Sequence, residues 1–159
     1  MKQPPKARGP RPGSIARVEG LSYGDLDEHF GYVLRRAQLA GFEAFERATA
    51  GIDITPARYT ALTIVGANPG LTQSALGAAL GTARSGAMMV ANWLEKRGLA
   101  ERRGLPEDAR AWGLHLTARG EKHLRNLNRR VRQKDAEFAT RLSPRERQTL
   151  RKLLGKLSG

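Results

Sequence analysis

Cysteine is absent from the 159 residues, which excludes disulfides, thiol nucleophiles, thiolate metal sites and thiol redox sensing together. Long apolar runs are absent too: none approaches the ~20 residues that span a bilayer, and the N-terminus lacks the apolar core of a signal peptide. The expectation is a cytoplasmic protein without membrane association. Only His29, His115 and His123 offer imidazole, and with no Cys to complete a soft ligand set neither a metal nor a cofactor is expected. No nucleophile stands beside a plausible base, and there is no glycine-rich phosphate loop or defined carboxylate pair, so no enzymatic activity is expected. Acidic residues are scarce: 15 face 28 Lys and Arg, leaving a formal net charge of +13. Such an excess suits a phosphate-rich polyanion or an anionic membrane surface, so nucleic acid and membrane are the first two partners to consider.

Glycine, proline and basic residues fill the start of the chain, where Lys2, Lys6, Arg8, Arg11 and Arg17 face the single acid Glu19. Residues 1–20 are expected to form a disordered basic arm, either tracking phosphates or adding charge as a solvated tail. From about Asp25 to Ala50, Leu26, Phe30, Val33, Leu34, Ala37, Phe42, Phe45 and Ala48 recur at helical spacing. Thr55-Pro56 starts a second helix that stops near Asn68-Pro69-Gly70, and Thr72 caps a third. Gly81-Thr82 breaks it before a fourth helix from about Ala83 to Arg97, which is helix-turn-helix spacing. The period then changes. Leu99 to Arg103 is strand-like, Gly104 to Arg110 is a polar turn, and Trp112, Leu114 and Leu116 alternate, making a small hairpin. Thr117 opens a long basic helix to about Leu142, and Ser143-Pro144-Arg145-Glu146 is a capping box for a last helix to about Leu157. The fold class is mainly α with a small β-hairpin wing.

In the fourth helix Ala87, Val90, Ala91 and Leu94 form an inward stripe, leaving Arg84, Ser85, Met88, Met89 and Asn92 outward, toward a major groove. Arg84 suits guanine O6 and N7, Ser85 a base edge or phosphate, and a methionine a thymine methyl. Met88 and Met89 have a second reading as core side chains. Gln73 and Ser74, at the start of the third helix, suit a phosphate oxygen or share capping with Thr72. Arg102, Arg103 and Arg110 flank the hairpin turn, whose tip suits a minor groove.

Ile54-Thr55-Pro56-Ala57-Arg58-Tyr59, Leu71-Thr72-Gln73-Ser74-Ala75-Leu76, Leu94-Glu95-Lys96-Arg97-Gly98-Leu99 and Glu107-Asp108-Ala109-Arg110 running to Leu114-His115-Leu116-Thr117 stand in an order and spacing that resembles the MarR family of bacterial regulators. The likeness spans roughly residues 22–157. It departs from the usual pattern at Ala109, where arginine is frequent, and at Met88 and Met89, where polar readers are frequent. The resemblance implies a single domain over 21–159, with a winged helix-turn-helix lobe at about 53–116 and dimerisation helices at about 25–50 and 117–157. It implies a nucleoid-associated homodimer that binds a pseudo-palindromic operator in double-stranded DNA and represses transcription until a small-molecule effector binds. It implies too that Asp108 holds a wing arginine in place, against the plainer reading of a turn aspartate.

The effector region implied by the resemblance carries Phe30, Arg35, Arg36, Phe42, Arg58 and Tyr59, with Trp112 a further candidate. Aromatic walls and guanidinium groups suit an aromatic acid or an aromatic acyl-CoA. Arg35 and Arg36 point about 100° apart, which suits a large polyanion better than one small carboxylate. Solvated charges, or pairing with Glu43 and Glu46 in the dimer, is the alternative for them. Against the whole regulatory reading stands a sequence-independent architectural DNA-binding protein, to which the arm and the charge excess would equally belong.

Overall fold

The computed structural model describes residues 17–105 and 108–159, with residues 108–111 described by their backbone alone. Most of the expected basic arm, and the side chains of Asp108 and Arg110, lie outside the described residues. The chain forms two compact units, one from residues 17–50 with Arg132–Gly159, the other Gly51–Val131.

The second unit holds the winged architecture. Helix α1 (Phe30–Ala48) belongs to the other unit, and α2 (Pro56–Ala67) opens this one. Thr55 Oγ1 accepts a hydrogen bond from Arg58 N at 3.3 Å, and Pro56 occupies the first turn, where no amide hydrogen is needed. Ala61, Leu62 and Val65 of α2 are fully buried. A two-residue strand β1 (Leu71–Thr72) follows, then α3 (Gln73–Leu80), α4 (Arg84–Lys96), β2 (Ala100–Leu105) and β3 (Asp108–Leu116). The sheet is antiparallel in the order β1-β3-β2, with Leu71 opposite Leu114 and Arg102 also opposite Leu114. Gly113 permits the central strand to lie against the preceding turn: a Cβ there would stand 2.5 Å from the Gly70 carbonyl oxygen. Leu76, Ala87, Ala91, Leu94, Leu114 and Leu127 complete a core with no exposed atoms beyond traces, burial that drives folding at roughly 25 cal/mol per Å² of apolar surface.

Helix α5 (Ala118–Phe138) crosses the boundary between units. Its first half belongs with the winged unit rather than with the other helices, because Leu127 is fully buried and Tyr59 Oη donates to Asn128 Oδ1 at 2.8 Å. The compact winged unit therefore includes the start of α5.

The first unit is helical: a 3-10 turn at Gly24–Asp27, α1, a 3-10 turn at Ala139–Arg141 and α6 (Pro144–Ser158). The expected helix from Asp25 begins instead at Phe30, because Gly24 takes φ +54 into the short turn and His29 is extended at ψ 110. The long basic helix likewise ends at Phe138 rather than Leu142, since Leu142 and Ser143 are extended, as a residue before proline prefers. Ser143 and Glu146 close the capping box, Ser143 N donating to Glu146 Oε2 at 2.7 Å and Glu146 N to Ser143 Oγ at 3.4 Å. The exchange holds the Glu146 carboxyl below its usual range, the Ser143 side chain contributing most. Among the described residues no helix is long and apolar enough to cross a membrane.

Candidate nucleic-acid interface

Helix α3 starts where Thr72 Oγ1 accepts from Ala75 N at 3.2 Å, so Thr72 caps. Gln73 is half-buried and Ser74 exposed at the same terminus. The chain turns at Gly81, whose φ of +59 is left-handed, and Gly77 approaches Ala87 closely enough that a Cβ on Gly77 would stand 3.3 Å from that of Ala87. Small residues at this crossing seat α4 firmly on α3. Gly86 leaves room for the Thr82 hydroxyl, which an added Cβ would meet at 2.4 Å.

On α4 the faces separate as the period dictates. Ala87, Ala91 and Leu94 are fully buried, while Arg84, Ser85, Met88 and Met89 are exposed. Val90 is half-buried at the margin. The core reading of the methionines is excluded, for Met88 is 45% and Met89 68% exposed. Arg84 has no acidic partner among the described residues.

The remaining polar candidates are engaged with protein. Asn92 Oδ1 accepts from Arg102 Nη2 at 2.9 Å, and Arg102 Nη1 pairs with Glu95 Oε2 at 2.7 Å. Arg102 thereby ties the first strand of the wing to the helix, rather than projecting from the hairpin turn. Arg103 Nε donates to Glu101 Oε1 at 2.8 Å along the same strand. The wing strands run further than the sequence suggests, to Leu105 and from Asp108, with an irregular register after Gly104. Trp112 is exposed opposite Gly104.

A second anchoring cluster was invisible in the sequence. Asp53 pairs with Arg58 at 3.3 Å and also with Arg97, and the two guanidinium groups stack on the Trp93 ring at 4.3 and 5.1 Å from its centroid. It joins the start of α2 to the end of α4. Only the 44-residue separation of Asp53 and Arg97 hid it, since no local pattern announces such a pair.

The effector candidates divide between the units. Phe30, Arg35, Arg36 and Phe42 stand on α1, where Phe30 is 63% and Phe42 43% exposed. Arg36 lies 4.0 Å from Asp27 and 6.0 Å from the Tyr32 ring centroid, whereas Arg35 has no acidic partner among the described residues. Glu43 pairs with Arg47 at 3.8 Å. Arg58 and Tyr59 stand on α2, engaged with Asp53, Trp93 and Asn128 as above. Among the described residues no group of three or more His, Asp or Glu is placed to hold a metal ion. Burial first, then Arg119, lowers the pKa of His123.

Residues 52–111 match a family model described as MarR family. A protein of Thauera aromatica described as a transcriptional regulatory protein for the hcr operon is 40% identical over 138 residues, covering 86% of this chain and 83% of its own. The transcriptional repressor CouR bound to a 23-mer DNA duplex is 33% identical with a TM-score of 0.82, covering 87% of this chain and 99% of that one. CouR bound to p-coumaroyl-CoA is 32% identical with a TM-score of 0.78, over 87% and 97% of the two chains. PcaV of Streptomyces coelicolor with its natural ligand is 28% identical with a TM-score of 0.77, over 87% and 97%.

Proposed function

The chain belongs to the MarR family of winged helix-turn-helix, DNA-binding transcriptional regulators, which are not enzymes, and from that premise we propose a homodimeric repressor of pseudo-palindromic operators, released by an aromatic acid or aromatic acyl-CoA. The observation that carries the DNA reading is the outward face of α4, with Arg84, Ser85, Met88 and Met89 open opposite a fully buried stripe. Arg84 reads a base edge, while Gln73 and Ser74 meet phosphate at the start of α3. Asn92 acts by holding Arg102, and Arg102 by holding the wing. Arg103 and Arg110 contribute phosphate or minor-groove contacts, with Asp108 holding a wing arginine in place.

Support for the dimer comes from the helical unit, which exposes Phe30, Val33 and Leu34 on α1 and Leu150, Leu153 and Leu157 on α6. A second copy of the chain is the occupant proposed for these apolar surfaces. Support for the effector class comes from exposed Phe30 and Phe42 on the same helix as Arg35, which has no acidic partner among the described residues, and from the p-coumaroyl-CoA complex of CouR. Arg36 on α1, and Arg58 and Tyr59 on α2, are the remaining effector candidates. An effector that favours the dimer's low-affinity state by about 1–3 kcal/mol changes operator occupancy 5- to 150-fold.

Selection of genomic fragments by the purified protein at physiological salt tests the reading. Selected fragments should bind about 10³-fold or more tightly than random DNA, and p-coumaroyl-CoA or a related aromatic acid should release them from an intact dimer. Equal affinity for selected and random DNA would instead make this an architectural protein. Retention of DNA across aromatic acids and thioesters would remove the effector class.

A further inference from the structure

Among the described residues of the winged unit, the exposed large apolar side chains are Met88, Met89 and Trp112. Two of the three are neighbours on the outward face of α4. Arg84 and Ser85 lie one turn before them and Asn92 one turn after, so a single strip of helix surface runs from cationic and polar through apolar to polar. At the far end Asn92 Oδ1 is already taken by Arg102. The middle of the face therefore has no polar group to offer a base, and no acid precedes Glu95 on the helix to repel phosphate.

One apolar group is displayed by base edges in the major groove: the C5-methyl of thymine. Cytosine carries hydrogen at the same position, and 5-methylcytosine carries the methyl. Resting on the reading of α4 as the major-groove helix, we propose that Met88 and Met89 read C5-methyl groups, so that the operator is chosen partly by its methyl pattern and cytosine C5-methylation alters which sites are accepted. A thioether side chain has three rotatable bonds and a polarizable sulfur, which lets two adjacent methionines follow methyls at neighbouring base steps. Outside DNA these side chains stay in water, and contact with a methyl recovers part of that cost.

The test uses the full chain and fragments it has itself selected, amplified with thymine or with uracil nucleotides. Uracil should weaken binding by about tenfold or more, as expected for one lost methyl contact in each half-site of a two-fold complex. In the Met88→Ala, Met89→Ala double variant the thymine-over-uracil ratio should shrink to within about twofold, while Arg84 keeps selected above random DNA. Both substitutions are at exposed positions, so folding is retained and is checked by circular dichroism. Equal binding of thymine and uracil fragments by the native chain, with selected DNA still preferred over random, overturns the methyl readout and leaves the regulator standing. An undiminished ratio in the double variant overturns the assignment to these methionines. Loss of any preference for selected DNA defeats the regulatory reading and this inference together.

Discussion

The winged unit and the helical unit bury their apolar residues to very different degrees. Within Gly51–Val131 the side chains of Leu62, Val65, Leu76, Leu94 and Leu127 are fully enclosed. Among the described residues of the helical unit only Ala44, Ala48 and Thr49 are buried, while leucines and phenylalanines along α1 and α6 face water. One unit closes a core within its own chain. The other buries too little apolar surface to close a core of its own, so in the proposed dimer its stability and its assembly would be the same property.

The comparison is most sharply tested in the winged unit by Leu94→Ala, which should cost about 2–5 kcal/mol in denaturant unfolding, because the cavity opens in a closed core. A loss near zero would mean that this core is not what holds α4. In the helical unit Leu153→Asp should instead leave the winged core folded and weaken association about 10- to 100-fold, since it places a charge on the exposed surface that the proposed dimer would cover. Sedimentation at several concentrations reads this directly, and an unchanged association constant would mean that α6 is not part of the interface.

These elements differ in how far the sequence exposed them. The caps at Thr55-Pro56, Thr72 and Ser143-Glu146 were legible because each is satisfied within three residues. The two faces of α4 were legible because Ala87, Ala91 and Leu94 repeat at the helical period. Strand β1 was not, since two residues are too short to show alternation and only their pairing with Gly113 and Leu114 makes them a strand. Nor was the Arg102 anchor: it depends on where β2 passes the end of α4, and a basic residue near a turn reads from sequence as free. Periodicity alone left Met88 and Met89 open between core and groove, and their exposure decides for the surface.

A smaller effect separates anchoring from contact inside the winged unit. Glu95→Gln removes the carboxylate paired with Arg102. Operator affinity should fall about two- to fivefold as the wing loosens, while affinity for random DNA stays level or rises because a negative charge is gone. A parallel rise for both would show that the pair only neutralises charge.

The smallest expected effect concerns pH. Burial, aided by Arg119, makes protonation of His123 less favourable in the folded protein than in the unfolded chain. Its unfolded pKa is about 6.5 and its folded pKa lies below that, so stability is complete above the unfolded value and is lost as pH falls through the folded one. In His123→Gln the slope of stability against pH in this window should flatten. An unchanged slope would assign the acid sensitivity elsewhere.

Footprinting of the best selected genomic fragment tests most directly the claim that the helical unit exists to set two winged units on one duplex. The account predicts a protected inverted repeat with half-site centres about one helical turn apart, lost in the Leu153→Asp variant. A single unsymmetrical protected stretch, retained unchanged by that variant, would contradict it.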